Sequence, residues 1–144
     1  MKVFFDSSAF VKRFIAEDGG EEVDACCQQA SELGLAVICV PEITSALNRK
    51  VREGLLSKEN YREIKGQIGR DIEDARIIDL TPEVIARAIR LLEQNTLRSL
   101  DALHIACALE WEAELFVSSD KRQIQASRDS GLDVRYVGGW PGWE

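Results

Sequence analysis

Five short runs rich in β-branched and aromatic residues alternate along the chain with stretches of helical period: KVFF at 2–5, LAVICV at 35–40, RIIDL at 76–80, LFVS at 115–118 and VRYV at 134–137. Such alternation leaves few folds open, because strands that recur through helical crossovers build a parallel sheet with helices on both faces. LAVICV is apolar on both sides, as burial between two helical layers demands. The pattern predicts an α/β chain with a parallel, roughly five-stranded sheet.

The helical stretches carry their own start signals. Thr81-Pro82-Glu83 supplies an N-cap, a proline at the first helical position and an acid in the first turn, ahead of Val84, Ile85, Ala88, Leu91 and Leu92. Ser57 caps a run in which Tyr61, Ile64, Ile68 and Ile72 recur at spacings of three and four against a charged face. A helix over about 42–53 precedes it across the turn Gly54-Leu55-Leu56, so the two are expected to form a helical hairpin. ALHIACAL at 102–109 is apolar nearly all round and is expected to be buried. No repeat or linker interrupts the 144 residues, and only the GGWPGW tail at 138–143 breaks regular structure, so residues 1–144 read as a single domain.

No apolar stretch approaches the ~20 residues of a membrane span, and Met1 leads directly into KVFFD, so a cytoplasmic protein is the expectation. Cys26, Cys27, Cys39 and Cys107 form neither a CxxC pair nor a disulfide ladder and read as small buried apolar residues. The net charge of −7 opposes nucleic-acid binding in general, yet basic clusters at Lys12-Arg13, Arg49-Lys50-Val51-Arg52 and Lys121-Arg122 could still meet a phosphate backbone.

Four acids stand at ends of apolar runs: Asp6 in KVFFDSSAF, Glu42 in AVICVPEITSAL, Asp101 in RSLDALHIACAL and Asp120 in ELFVSSDKRQI. Each alone can be a helix cap or first-turn acid. Taken together they suggest more, because Asp6, Glu42 and Asp120 follow strand-like runs, and the carboxyl ends of parallel strands are where open α/β sheets build their sites. Asp101 comes from a helix start, and counting does not establish its convergence with the rest. Clustered carboxylates repel unless cations hold them together. Hard oxygen ligands suit Mg²⁺ or Mn²⁺, and such an ion can neutralise a phosphodiester, lower the pKa of the attacking water and stabilise the leaving oxygen. With one histidine, the chain has no zinc set.

The ordered series FFDSSAFVKRF, VPEITSALNRK, LRSLDALHIACAL and FVSSDKRQIQASRDSGLDV resembles a PIN-domain ribonuclease, most closely the VapC-type toxins of toxin–antitoxin systems, over almost the whole chain. The resemblance implies a compact three-layer α/β/α sandwich and metal-dependent endonucleolytic cleavage of RNA. It also implies an acidic cluster of Asp6, Glu42, Asp101 and Asp120. Asp6, Asp101 and Asp120 would hold Mg²⁺, directly or through water, with Mn²⁺ as a substitute, and Glu42 would complete the cluster or position the water. Ser8 and Ser118 match the family's supporting hydroxyl positions. The partners implied are RNA, a small antitoxin that occupies the site, and a second copy of the chain, with the hairpin of about 42–72 serving antitoxin contact and homodimer formation.

Other residues carry two readings. Arg98 and Lys121 contact phosphate or only counter the nearby acids. His104 is a general acid or, in the blander reading, a partly buried histidine bonded to backbone or carboxylate. Arg49, Lys50 and Arg52 are a solvated helix face or an RNA groove, and Trp140 and Trp143 cover an apolar edge, meet a partner copy or stack on a base. Two competing functions stay open: a phosphoacceptor or phosphatase module using Asp6, and a non-catalytic module that keeps the fold. DSS after the first strand, in place of a paired D-x-D, speaks against the phosphatase.

Overall fold

A computed structural model describes residues 1–16 and 18–138; Trp140 and Trp143 lie outside them. The described elements run β1 (Lys2–Phe5), α1 (Ser7–Phe10), α2 (Gly20–Gln29), β2 (Glu32–Ala36), α3 (Cys39–Arg52), α4 (Lys58–Ile72), β3 (Arg76–Ile78), α5 (Pro82–Gln94), α6 (Ser99–Glu110), β4 (Leu115–Ser118), α7 (Lys121–Asp129) and β5 (Val134–Tyr136). A single 3-10 turn at Val11–Arg13 extends α1.

The five strands form one sheet in the order β3-β2-β1-β4-β5, and every pairing is parallel. β1 is therefore central, and the chain leaves it toward β2 and β3 before returning to its other side through β4. Adjacent strands whose connections leave in opposite directions open a crevice at their carboxyl ends, and β1 and β4 are such a pair.

Alternation along each strand sorts the core into two layers. Val3 and Phe5 of β1, Leu35 of β2 and Val117 of β4 point to one face, where Phe10, Val23, Cys39, Ile43, Leu47, Ile64 and Ile68 of α1–α4 cover them. Phe4, Ala36 and Phe116 point to the other, against Val84, Ala88, Leu91, Ile105, Cys107 and Ile124 of α5–α7. The result is the expected α/β/α sandwich. Phe4 and Phe116, opposite each other in register, stack at 5.8 Å between centroids. A side chain at Gly34 of β2 would meet the Trp111 ring at 2.5 Å, so this strand position admits only hydrogen.

KVFF and LFVS are strands over the predicted residues. The second strand is displaced: β2 covers Glu32–Ala36, and Cys39, Val40 and Pro41 belong to the first turn of α3. An apolar run serves a buried strand or a buried helix start equally well, and Pro41 is tolerated in a first helical turn, whose N–H groups have no intrahelical acceptor. Glu42 thus sits within a helix rather than behind a strand. RIIDL and VRYV shorten to Arg76–Ile78 and Val134–Tyr136.

The helix signals hold. Ser57 accepts from the Asn60 N–H at 3.0 Å and Thr81 from the Val84 N–H at 3.2 Å. Gly54, at φ +75°, closes α3 in the left-handed conformation that turns the chain into α4. Residues 102 and 104–108 of α6 are buried, as expected of ALHIACAL. Three cysteines are buried and Cys27 is half-buried, and all four are free thiols. Among the described residues no helix is long and apolar enough to cross a membrane.

Candidate active site

Each of the four acids begins as a local capping device. Asp6 ends β1 and caps α1, accepting the Ala9 N–H at 3.0 Å. Glu42 lies in the first turn of α3. Asp101 accepts the Arg98 N–H at 3.2 Å at the start of α6, and Asp120 caps α7 through the Arg122 N–H at 2.9 Å. Capping and convergence prove compatible: all four line one cleft of about 280 Å³ at the carboxyl ends of β1 and β4, with Arg98, Lys121 and Arg122 at its rim.

Asp6 is at the floor, wholly removed from solvent. Ser8 donates to its carboxylate at 2.8 and 2.9 Å, and Ser118 donates to Oδ2 at 2.7 Å. The Ser118 hydroxyl also accepts the Asp120 N–H at 2.9 Å, and the Ser8 hydroxyl accepts the Ser119 N–H at 3.1 Å. The two serines expected to support the site therefore stitch the end of β1 to the end of β4. Burial pushes the Asp6 carboxyl up to about 6 from 3.8, although the His104 charge and the bonds from Ser118, Ser8 and Ala9 pull the other way.

Glu42 is held differently. His104 Nε2 lies 2.5 Å from Glu42 Oε1, and the Ser7 hydroxyl donates to the same oxygen at 2.7 Å. Burial acts to raise this carboxyl, but the His104 bond and charge, with Ser7, outweigh it and hold Glu42 below the ordinary range. His104 is 2% exposed and also meets Ser7 at 3.2 Å, so it is the carboxylate-bonded buried histidine of the blander reading.

Asp101 is raised by burial first and by the Asp120 charge second, against Arg98 and His104. Gln123 Nε2 donates to its Oδ1 at 3.0 Å, and Arg98 Nε stands 3.9 Å from its Oδ2. Arg98 thus does at least the work of countering charge. Lys121 lies over the Tyr136 ring at 5.9 Å, still on the cleft rim.

The donor set is made of carboxylate oxygens, with a mutual repulsion between Asp101 and Asp120 that a hard divalent cation relieves. It fits Mg²⁺ or Mn²⁺ and does not fit zinc. Among the described residues, however, no three His, Cys, Asp or Glu side chains are gathered closely enough to hold an ion directly. Glu42 is bonded to His104, while Asp101 and Asp120 each face a helix terminus. A carboxylate offers about four lone-pair positions, and both Asp120 bonds fall on Oδ1, so donor capacity toward the cleft persists.

Three residues of the cleft were not singled out by sequence for the parts they play: Ser7, His104 as the partner of Glu42, and Gln123. A lone histidine near LDAL is visible, but its partner lies 62 residues away.

Comparison with known proteins gives a consistent set of matches. The sequence model of the family described as PIN domain matches residues 3–129. The chain is 32% identical over 111 residues to Ribonuclease VapC45 of Mycobacterium tuberculosis, covering 74% of each. Among solved structures it resembles FitAcB from Neisseria gonorrhoeae, with a TM-score of 0.71 at 14% identity over 92% of this chain and 95% of that one. A toxin–antitoxin complex from Klebsiella pneumoniae gives 0.69 at 13% identity, covering 96% and 99%.

Proposed function

We propose, from the premise that this chain belongs to the PIN-domain family, that it is a metal-dependent endoribonuclease and the toxin of a toxin–antitoxin pair. One observation carries the reading: carboxylates from four separate elements line a single cleft at the switch point of a parallel sheet. Residues 1–144 are read as one nuclease domain working in the cytoplasm.

Asp6, Asp101 and Asp120 would hold Mg²⁺, or Mn²⁺ in its place, in part through bridging water, since no three of the described side chains stand close enough to bind one ion together directly. The bound ion would supply charge neutralisation at the phosphate, a more acidic water and a stabilised leaving oxygen. The chain's own groups do the rest. Ser8 and Ser118 fix the Asp6 carboxylate on the cleft floor. Glu42 is kept ionised by His104 and Ser7, whose bonds both fall on Oε1, so Oε2 is the oxygen suited to accept a hydrogen bond from the attacking water and position it. Arg98, Lys121 and Arg122 meet the phosphates on either side of the scissile bond.

Against the phosphoacceptor reading stands the sequence after β1, DSS in place of a paired D-x-D. The partners we assign are an RNA substrate, a small antitoxin that covers the cleft, and a second copy of the chain.

Incubation of the purified chain with structured RNA and Mg²⁺, Mn²⁺ or EDTA tests the reading. Cleavage should require the metal, and Asp6→Asn and Asp101→Asn should each lower the rate at least ~100-fold, the scale of losing a group that stabilises the transition state. Equal cleavage by wild type and variants, or indifference to EDTA, would overturn it.

A further inference from the structure

Gln123 occupies the third position of α7, directly behind the Asp120 cap. A glutamine there ordinarily reaches back to the N-cap backbone N–H and closes a capping box. Here that N–H is already taken, because Asp120 N donates to the Ser118 hydroxyl at 2.9 Å. The Gln123 amide is released and crosses to another helix, donating from Nε2 to Asp101 Oδ1 at 3.0 Å. Its backbone N–H donates to Asp120 Oδ1 at 3.4 Å. One residue thus bonds both carboxylates of a mutually repelling pair.

The side chain is 4% exposed, and its Oε1 is buried with no protein partner. An unpaired buried carbonyl costs about 1–3 kcal/mol, which an apolar side chain of the same shape would not incur. Core packing therefore does not account for an amide at this position. What the amide provides and an apolar group cannot is the N–H aimed at Asp101.

We infer that Gln123 is a positioning residue for the metal-binding carboxylates, its side chain holding Asp101 toward the cleft it shares with Asp120 so that a divalent cation meets the pair already oriented. This rests on the metal reading proposed above and extends it to a residue that touches neither ion nor substrate. Residues that orient metal ligands typically alter metal affinity 10–100-fold when replaced.

The experiment measures Mn²⁺ binding to the RNA-free chain by titration calorimetry and by electron paramagnetic resonance of free Mn²⁺, for wild type, Gln123→Met and Gln123→Leu. Thermal unfolding of each is followed in EDTA. Both variants should melt no lower than wild type, because the orphaned carbonyl is gone, yet bind Mn²⁺ about 10–100-fold more weakly. A structural role predicts the opposite split, a lowered melting point with unchanged affinity, and that result overturns the inference. Undiminished Mn²⁺ binding by either folded variant does so as well. If the wild type itself binds no Mn²⁺, the metal reading fails and this inference with it, whereas wild-type binding matched by the variants removes Gln123 alone.

Discussion

At Asp6 the folded chain holds a carboxyl whose ionised form burial disfavours, with a folded value of about 6 against 3.8 for the exposed group. A group raised in this way favours folding most where it is protonated in both states, below about 4, and that contribution is lost as pH rises through about 6. At neutral pH without metal the ionised Asp6 therefore strains the fold, by on the order of 1–3 kcal/mol. Asp6→Asn in EDTA should raise the unfolding free energy at pH 7.5 by that order, with the gain vanishing near pH 4, as followed by urea melts across pH. A variant less stable than wild type at pH 7.5 would contradict it. Asp101 starts a helix and Glu42 lies inside one, whereas Asp6 and Asp120 were readable from sequence because each closely follows a strand, a local signal. Ser7, His104 and Gln123 were not, because their partners lie 35, 62 and 22 residues away and no periodicity encodes a crossing of that kind.

Among the elements, those with local start signals came through best. α4 and α5 begin where Ser57 and Thr81 place them, since a cap acts on the next three residues only. Thr81→Ala should accordingly cost about 1 kcal/mol in chemical denaturation, through loss of the Val84 bond. LAVICV was harder, because nothing in an unbroken apolar run says where a strand stops and a helix starts; register against β1, a tertiary fact, places β2 three residues early. α5 shows a second apolar stripe that the sequence reading merged with the first. Val84, Ala88 and Leu91 are buried, whereas Ile85, Ile89 and Leu92 are exposed. Such a patch offers the proposed second copy a surface other than the hairpin of about 42–72 that the family resemblance implies. Ile89→Lys should shift the chain to monomer in light scattering, and an unchanged mass would place the contact elsewhere.

Across the whole molecule the net charge of −7 leaves RNA binding to a few cations at the cleft rim. If Arg98, Lys121 and Arg122 each displace one counterion from a single strand, log affinity should fall against log salt with a slope of about −2. Anisotropy with the Asp6→Asn variant reads this, and a slope beyond about −4 would mean that further cations take part. The sheet order has an effect of another kind. Phe5 is registered against Val117, and Asp6 receives its hydroxyl bond from Ser118, so the cleft floor closes only when the two ends of a span of more than 100 residues have met. During synthesis, a ribosome-bound chain that has not yet extruded β4 has an aspartate with no floor to sit in. For an enzyme that would cut the cell's own RNA, such late assembly of the centre is a safeguard in time: the cleft floor cannot form before β4 has emerged, when a partner can already be waiting.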